Sequence, residues 1–308
     1  MTVPTAENAA FIAVDWGTTR LRASLVDAAG AVIDTTNSES GVQSVPAGGF
    51  AAALDTACAA WFAQRPDLPV LMAGMVGSRN GWIEAPYAPC PAGVDEIAAR
   101  LLAVPGATRS IHIVPGVDCR WSDGAYDVMR GEETQALGTG LRDGLIALPG
   151  THGKWIEMRD GRIHRFATFV TGELFAAVSA SFIGRLAEEP HDDETGAALA
   201  AETARVPGGL TRGLFQARAR ALAGDLAPRA IRPFLSRLLV EAEIAGALDL
   251  FGRPDTVHLV AAEPQRGVYR SALAARAIAV EDHDTPTVTL AGLKLLMQSV
   301  TSRSGRLV

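Results

Sequence analysis

Residues 11–26 read FIAVDWGTTRLRASLV. The apolar run 11–14 and the alternating run 21–26 predict two short β-strands, and the Gly-Thr-Thr between them predicts a hairpin turn. A third strand is predicted over 31–36, after a second turn at Ala29-Gly30. The chain is therefore expected to begin with three consecutive β-strands whose first turn is rich in glycine and threonine.

The second half of the sequence repeats this order. A strand is predicted over 145–148, a Pro-Gly-Thr-His-Gly turn over 149–153, and two further strands over 154–158 and 163–170. Apolar runs and helical periodicities follow both sets of strands. They predict helices over 48–62, from about 132, 173–186, 210–223, 233–251, 264–276 and 286–300, and strands over 70–73, 111–114, 257–261 and 277–280.

Two halves of similar order predict an α/β protein with an internal duplication, divided into domains 1–142 and 143–308. The length of 308 residues agrees with two domains of about 150 residues each. Equivalent turns facing one another would form a cleft between the domains, where ligands bind preferentially. We expect the closing helix, 286–300, to pack back toward the domain boundary.

The composition excludes several classes of protein. Hydrophobic residues make up 48% and charged residues 20%, which is typical of globular chains. The net charge of −6 disfavours nucleic-acid binding. No apolar run approaches the roughly 20 residues that span a bilayer, and the N-terminus lacks the basic segment of a secretory signal. We therefore expect a cytoplasmic protein without nucleic-acid or membrane partners, and the sequence leaves a homodimer open.

The three cysteines and most histidines receive no functional role. Cys58, Cys90 and Cys119 are odd in number and widely spaced, so we expect reduced thiols packed as small hydrophobic side chains. Neither a disulfide framework nor a structural zinc site is predicted. The histidines without metal-ligand spacing are His112, His164, His191, His258 and His283.

The first chemical motif is the turn Asp15-Trp16-Gly17-Thr18-Thr19. A tight glycine turn leaves backbone N–H groups free, and with two hydroxyl groups these can bind phosphate oxygens. An aspartate at the end of the preceding strand can hold Mg²⁺, which takes few carboxylates and keeps several waters. Taken alone, the five residues are explained better by an ordinary β-turn.

The second motif is the run LPGTHGKW, residues 148–155. It also places glycines, a hydroxyl group and a basic residue between two strands. The spacing is not that of a Walker A loop, and no helix follows it. An ordinary turn again explains the run by itself, but two such turns at equivalent places in two halves favour phosphate binding.

The third motif is MRGEETQALG, residues 129–138. Paired acids at a predicted helix start are favoured by the helix dipole, which is the structural interpretation. The functional interpretation is that one carboxylate accepts a hydroxyl proton during phosphoryl transfer.

In this order the motifs resemble the FGGY-type sugar kinases of the actin, hexokinase and heat-shock ATPase superfamily. Longer blocks are similar to the 2-dehydro-3-deoxygalactonokinase family and extend from residue 12 to about 300: MAGMVGS at 72–78, PYAPCP at 86–91, RGEETQ at 130–135, LPGTHGKW at 148–155 and TGEL at 171–174. The resemblance implies two ribonuclease H-like domains of the actin/hexokinase type with an interdomain cleft. It also implies ATP- and Mg²⁺-dependent phosphorylation of 2-dehydro-3-deoxy-D-galactonate on its 6-hydroxyl, a step of galactonate breakdown.

The resemblance also implies site residues. Asp15 would bind Mg²⁺, and Glu132 stands where many sugar kinases carry the catalytic aspartate; the longer side chain is a departure that leaves room for Glu133 as the base. The remaining nucleotide contacts would be the phosphate-1 residues Gly17, Thr18 and Thr19, the phosphate-2 residues Gly150, Thr151 and Gly153, and the adenosine residues Ala261 and Ala262, where the superfamily usually has glycines.

Substrate binding is inferred from charge, because a sugar acid needs cations or amides around its carboxylate. The candidates are Arg79, Asn80, Trp82, His152 and Lys154. For Arg79 a solvated surface position is an equal alternative, and Trp82 fits a core position more often than a stacking one. Other functions left open are a kinase for another sugar acid such as 2-dehydro-3-deoxygluconate, a phosphohydrolase on the same fold, and a non-enzymatic sugar-acid sensor.

Overall fold

The computed structural model describes residues 6–188 and 194–304, so His191 lies outside the described residues. The chain forms two compact units. The first unit contains the described residues up to Asp143, the segment Met158–Phe166 and the residues from Asp284 onward. The second unit contains Gly144–Glu157 and Ala167–His283.

The chain alternates between strands and helices throughout. The strands are β1 (Ala9–Trp16), β2 (Leu21–Asp27), β3 (Val32–Ser38), β4 (Val70–Ala73), β5 (Tyr87–Pro89), β6 (Leu102–Ala103), β7 (Ile111–Ile113), β8 (Gly116–Arg120), β9 (Tyr126–Met129), β10 (Gly144–Leu148), β11 (Gly153–Arg159), β12 (Arg162–Phe169), β13 (Thr256–Val260) and β14 (Ala279–His283). The α-helices are α1 (Phe50–Ala57), α2 (Ala59–Phe62), α3 (Val94–Ala98), α4 (Glu132–Gly138), α5 (Thr171–Ala180), α6 (Glu194–Ala204), α7 (Gly209–Ala223), α8 (Ile231–Phe251), α9 (Gln265–Ala274) and α10 (Thr285–Ser304).

The two glycine-rich turns, between β1 and β2 and between β10 and β11, belong to two different sheets. The sheet of the first unit has the order β3-β2-β1-β4-β7-β6, with β1 antiparallel to β2 and parallel to β4. The other sheet has the order β12-β11-β10-β13-β14, with β10 parallel to β13. In both, a three-strand meander is extended by parallel strands on the side of its first strand, and the first sheet ends with β6 antiparallel to β7. A smaller sheet, β5-β8-β9, completes the first unit. The α/β class expected from the sequence is confirmed.

Each sheet is covered by apolar side chains. In the first unit, Trp16, Leu54 and Met72 belong to one buried cluster. In the second unit, Trp155 and Leu259 belong to the cluster under α8 and α9, and a further cluster lies among the helices α6 to α8. All three cysteines carry free thiols, two of them buried. Within the described residues, no helix is both long enough and apolar enough to cross a membrane.

The closing helix departs from the predicted division of the chain. A contiguous domain 143–308 would include α10, but the structure groups that helix with the first unit. The reason is its apolar face: Leu293, Leu296 and Met297 are buried where α10 packs against α3, α4, β1 and β4. The sequence predicted that this helix packs back, but not that it completes the first unit.

Local differences from the predicted elements are small and have local causes. The predicted helix 48–62 is divided at Cys58, whose backbone is not helical. The predicted helix 173–186 ends at Ala180, because Ser181 adopts an extended conformation. The short elements β5, β6, β8, β9 and α3 and the helix α6 were not predicted.

Candidate functional site

The first turn joins β1 and β2, and its carbonyl groups are held on one side. The carbonyl oxygen of Gly17 accepts a hydrogen bond from the N–H of Val42 (3.0 Å), and that of Thr18 accepts one from the N–H of Gln43 (3.1 Å). In a trans peptide the N–H points opposite to the C=O. The N–H groups of Thr18 and Thr19 therefore point away from these partners, which makes them oriented donors for an anion.

Two glycines allow close backbone contact between the first turn and the third motif. Gly74 follows β4 with φ of 95°, and a Cβ there would lie 2.9 Å from the carbonyl oxygen of Trp16 and 3.6 Å from Oδ1 of Asp15. Gly131 has φ of 107°, and its Cβ would lie 3.3 Å from Cα of Gly74. Positive φ and close backbone contact both favour glycine at these positions. The end of β1, the end of β4 and the start of α4 therefore meet at Asp15.

Asp15 is a partly buried carboxylate with one cationic neighbour. Its side chain is 26% exposed, and its Oδ2 lies 3.5 Å from Nη1 of Arg22, which is opposite it in the β1–β2 register. Burial raises the pKa of Asp15, and the positive charge of Arg22 works against that rise. A hydrated Mg²⁺ ion fits this donor set, because it needs one or two carboxylates and would offset the cost of the buried charge.

The two acids of the third motif occupy different environments. Glu133 is fully buried, and its carboxylate accepts hydrogen bonds from the N–H of Gly131 (2.6 Å) and the hydroxyl group of Thr134 (3.0 Å). Burial raises the pKa of Glu133 to about 7, and the charge of Glu132 raises it further. Glu132 is only partly buried and accepts the N–H of Arg130 at 3.0 Å. Glu132 is therefore the more accessible of the two carboxylates.

Arg130 is a residue of this region to which the sequence analysis gave no role. Its Nη2 donates to the carbonyl oxygen of Ala85 (2.7 Å), and its guanidinium group lies 4.6 Å from the centre of the Tyr87 ring. Within the described residues, its buried Nη1 has no hydrogen-bond partner. Arg130 lies in the third motif, directly before the Gly131-Glu132 pair, which is the sequence feature that could have indicated it.

The second turn joins β10 and β11 and is held by the start of α5. The N–H of Glu173 donates to the carbonyl oxygen of Thr151 (3.1 Å). A Cβ on Gly172 would lie 2.5 Å from the carbonyl oxygen of Gly150, so the first turn of α5 packs directly on this backbone. The start of a helix carries partial positive charge, which favours an anion nearby.

A buried carboxylate lies under the second turn. Both oxygens of Glu243 lie within 3.4 Å of the position that a Cβ on Gly153 would take. Glu243 accepts hydrogen bonds from Nε1 of Trp155 (2.8 Å) and the hydroxyl group of Tyr269 (2.7 Å). Burial raises the pKa of Glu243, and the bonds from Thr171, Tyr269 and Trp155 oppose that rise. The sequence analysis missed Glu243, because its partners lie on three other elements.

The substrate candidates of the second turn contact one another. Nε2 of His152 lies 2.5 Å from a carboxylate oxygen of Glu173, and both side chains are more than half exposed. Lys154 is buried, and its ammonium group donates to the carbonyl oxygen of His152 (2.9 Å). Lys154 therefore supports the turn in the structure, and its contact with a substrate stays a prediction.

The substrate candidates of the first unit have different surroundings. Arg79 is exposed and lies 3.6 Å from the carboxylate of Glu84, and Asn80 is exposed as well. Trp82 stacks on Phe50 and packs edge-to-face against Trp16, as part of the apolar cluster. Substrate contacts by these three residues stay predictions, and the packing of Trp82 favours the structural interpretation.

The predicted adenosine residues follow β13. Ala261 is buried, and its carbonyl oxygen accepts a hydrogen bond from Nε of Arg266 (3.0 Å). Ala262 is exposed, and its carbonyl oxygen accepts the N–H of Arg266 (3.0 Å). Arg266 thus fixes the connection between β13 and α9, a role that the sequence analysis did not assign.

Comparison with known proteins identifies the class and then the family. A Porphyromonas gingivalis structure provisionally assigned as an N-acetylglucosamine kinase shares the fold, with 15% identity, a TM-score of 0.52 and coverage of 92% of this chain and 98% of the other. This likeness shows the fold, an α/β protein whose two sheets each carry a glycine-rich turn. The chain belongs to the 2-keto-3-deoxy-galactonokinase family, which it matches over residues 15–296.

Two relatives are similar over nearly their whole length. The 2-dehydro-3-deoxygalactonokinase of Escherichia coli is 34% identical over 304 residues, which cover 95% of this chain and 99% of the relative. A Sinorhizobium meliloti crystal structure, provisionally assigned to the same enzyme, is 35% identical with a TM-score of 0.88 and covers 94% of this chain and 99% of its own. The family resemblance stated from the sequence motifs is thereby confirmed.

Proposed function

We propose that this protein transfers the γ-phosphoryl group of ATP to the 6-hydroxyl of 2-dehydro-3-deoxy-D-galactonate, giving ADP and the 6-phosphate. Family membership supports the kinase activity and the substrate. The structural observation that carries the proposal is the meeting of Asp15, Gly74 and Gly131, because it brings a metal-binding carboxylate and an acid-bearing helix start to one place.

The nucleotide would be held by both turns. Asp15 would bind the Mg²⁺ ion, which neutralises charge on the phosphates when bound. The outward N–H groups of the first turn support phosphate contacts by Gly17, Thr18 and Thr19, and the adjoining start of α5 supports contacts by Gly150, Thr151 and Gly153. Ala261 and Ala262 would line the adenosine site after β13.

Glu132 is the proposed catalytic base. The oxygen of the 6-hydroxyl attacks phosphorus, the bond from phosphorus to the leaving ADP oxygen breaks, and Glu132 accepts the hydroxyl proton. The raised pKa of Glu133 would suit a base, but its carboxylate is fully buried and bonded to Gly131 and Thr134. Its accessibility supports Glu132 as the base, and Glu133 would instead position the start of α4.

The sugar acid would be recognised through its carboxylate. His152 is half exposed beside the second turn, and Arg79 and Asn80 are exposed in the first unit, so all three are available for such contacts. Lys154 would contribute to binding of the substrate carboxylate indirectly, by holding the turn that contains His152. Trp82 is half-buried and its ring packs in the apolar cluster, so of these residues it has the least structural support as a substrate contact.

The proposal includes two ribonuclease H-like domains with an interdomain cleft. The shared strand order of the two sheets and the likeness to a sugar-kinase fold support it. A cytoplasmic location follows from the use of ATP and agrees with the sequence expectation. A homodimer, which the sequence leaves open, is tested by light scattering of the purified protein.

The test is a coupled ADP-release assay with a panel of sugar acids. We expect turnover with 2-dehydro-3-deoxygalactonate and Mg²⁺, and product phosphorylated at the 6-position by ³¹P NMR. Preference for 2-dehydro-3-deoxygluconate would correct the substrate. ADP release that is independent of any sugar acid would instead indicate a phosphohydrolase, and binding of a sugar acid without ADP release would indicate a sensor.

A further inference from the structure

Three side chains with metal-binding groups meet on the β13–β14 pair of the second unit. The strands are parallel, with His258 opposite Glu281 and Val260 opposite His283. Residues two apart on a strand share a face of the sheet. His258, Glu281 and His283 therefore lie on one face, and their potential ligand atoms all lie within 4.8 Å of one another.

The separations suit one small cation. Nδ1 of His258 lies 3.1 Å from Nε2 of His283. The carboxylate of Glu281 lies 3.6 Å from Nδ1 of His258 and 3.9 Å from Nε2 of His283. Tetrahedral zinc with bonds of about 2.0 to 2.2 Å requires ligand atoms about 3.4 Å apart. The three separations of 3.1, 3.6 and 3.9 Å lie on either side of that value.

The surroundings also suit a bound metal ion. The two imidazoles are largely buried, with 15% of each side chain exposed, whereas Glu281 is 60% exposed. A hydrogen bond between the two rings is the metal-free alternative, and it satisfies only one nitrogen on each ring.

We propose that His258, Glu281 and His283 form a binding site for a divalent transition metal of the zinc type, with the fourth position open to solvent. Two imidazoles and a carboxylate are a ligand set that zinc accepts. Bound metal would join the edge strand β14 to β13 and stabilise the second unit. The site uses none of the residues assigned to phosphoryl transfer and is independent of that function.

The experiment is a Zn²⁺ titration of untagged, chelator-treated protein in competition with a chromophoric chelator. We expect one equivalent of Zn²⁺ per chain, and an increase in Tm when Zn²⁺ is added. Co²⁺ at the same site should give the intense visible absorption of tetrahedral coordination. Half an equivalent per chain, or no binding in competition with the chelator, would overturn the proposal.

Three variants locate the ion. His258→Gln and His283→Gln should each weaken Zn²⁺ binding by at least about 100-fold, since even outer-shell partners alter metal affinity 10- to 100-fold. Glu281→Gln changes an exposed side chain, so it should fold normally and also weaken binding. His164→Gln is the control, because His164 lies on β12 outside the cluster. Unchanged affinity in the three cluster variants, or an equal loss in the control or in Asp15→Asn, would place the ion elsewhere.

Discussion

The two glycine-rich turns have similar sequences but are held in different ways. The turn at Asp15 is held by backbone, through the close approach of Gly74 and Gly131 and the bonds from Val42 and Gln43. The turn at Thr151 is held from one side by α5 and from beneath by the side chain of Glu243. Close backbone contacts leave a turn little room to move, whereas a buried side-chain network adds polarity and sensitivity to substitution.

The difference corresponds to the chemistry proposed for each turn. The first turn carries the proposed Mg²⁺ ligand and adjoins the proposed base, so small displacements of this turn relative to Glu132 should slow the reaction. The second turn is proposed to contact phosphate oxygens, which tolerate adjustment more readily. Substitutions in the first turn should therefore affect rate, and those under the second turn should affect stability.

The largest effect is expected from Asp15→Asn. Removing the metal-binding carboxylate should lower kcat/KM at least about 10³-fold, because Mg²⁺ contributes several kcal/mol to the transition state. Stability should change little, since an amide is less costly to bury than the carboxylate. Steady-state kinetics and thermal unfolding measure the two effects. The control is Glu39→Gln, which removes an exposed carboxylate paired with Arg20 of the same turn; normal turnover in Asp15→Asn would refute the metal assignment.

The second effect concerns the base. Glu132→Gln keeps the shape and the bond from Arg130 but removes basicity, so kcat should fall about 10²- to 10⁴-fold while ATP affinity changes little. A loose transition state puts the expected loss at the lower end. Glu133→Gln is the matched comparison and should retain most of kcat. If Glu133→Gln is the inactive variant, the two roles are reversed, and if neither slows the reaction, this motif supplies no base.

The third prediction is a pH dependence of stability. Glutamate ordinarily titrates near 4.5, and in the folded protein burial raises the pKa of Glu133 to about 7. Between these values the folded protein binds more protons than the unfolded chain, so the free energy of unfolding falls as pH rises. The contribution is complete below pH 4.5 and is lost above pH 7, and it is on the order of 3 kcal/mol.

Urea unfolding at pH 5 and pH 8 measures this contribution. The difference between the two pH values should be smaller in Glu133→Gln than in the natural protein, because the amide does not titrate. Glu39→Gln should keep the natural difference, since Glu39 is exposed. Identical differences in all three proteins would mean that Glu133 is already ionised at pH 5 in the folded state.

The smallest effect is expected under the second turn. A methyl group on Gly172 would lie 2.5 Å from the carbonyl oxygen of Gly150, so Gly172→Ala should destabilise the protein by about 1–3 kcal/mol. Gly150→Ala is the matched control, because among the described residues, apart from its chain neighbours, no atom lies within 4 Å of its Cβ position. It should change stability by no more than about 0.5 kcal/mol. Chemical denaturation measures both, and equal losses would show that α5 does not constrain this turn.

Local patterns in the sequence predicted the parts of the fold that depend on neighbouring residues. The two meanders, the Gly-Thr turns and the long helices α7 and α8 follow from alternation and helical periodicity, which are local properties. The division at Cys58 and the short strands β5, β8 and β9 were missed, because elements of three to five residues carry too few positions for a periodicity. The longer motifs that resemble the family predicted functional roles for Asp15, Glu132 and the two turns. Single short motifs could not support those predictions.

The sequence by itself therefore determined the α/β class and the family. It also supplied the chemical groups that can bind phosphate, bind a metal ion or accept a proton. Only the tertiary structure decided which of two adjacent acids is buried, because Glu133 and Glu132 differ in their environment and not in their chemistry. It alone placed Glu243 beneath the second turn and brought His258 and His283, 25 residues apart, to 3.1 Å. The physical reason is that parallel strand pairing and helix packing bring distant segments of the chain together. The register between two such strands leaves no periodic signal in the sequence of either strand.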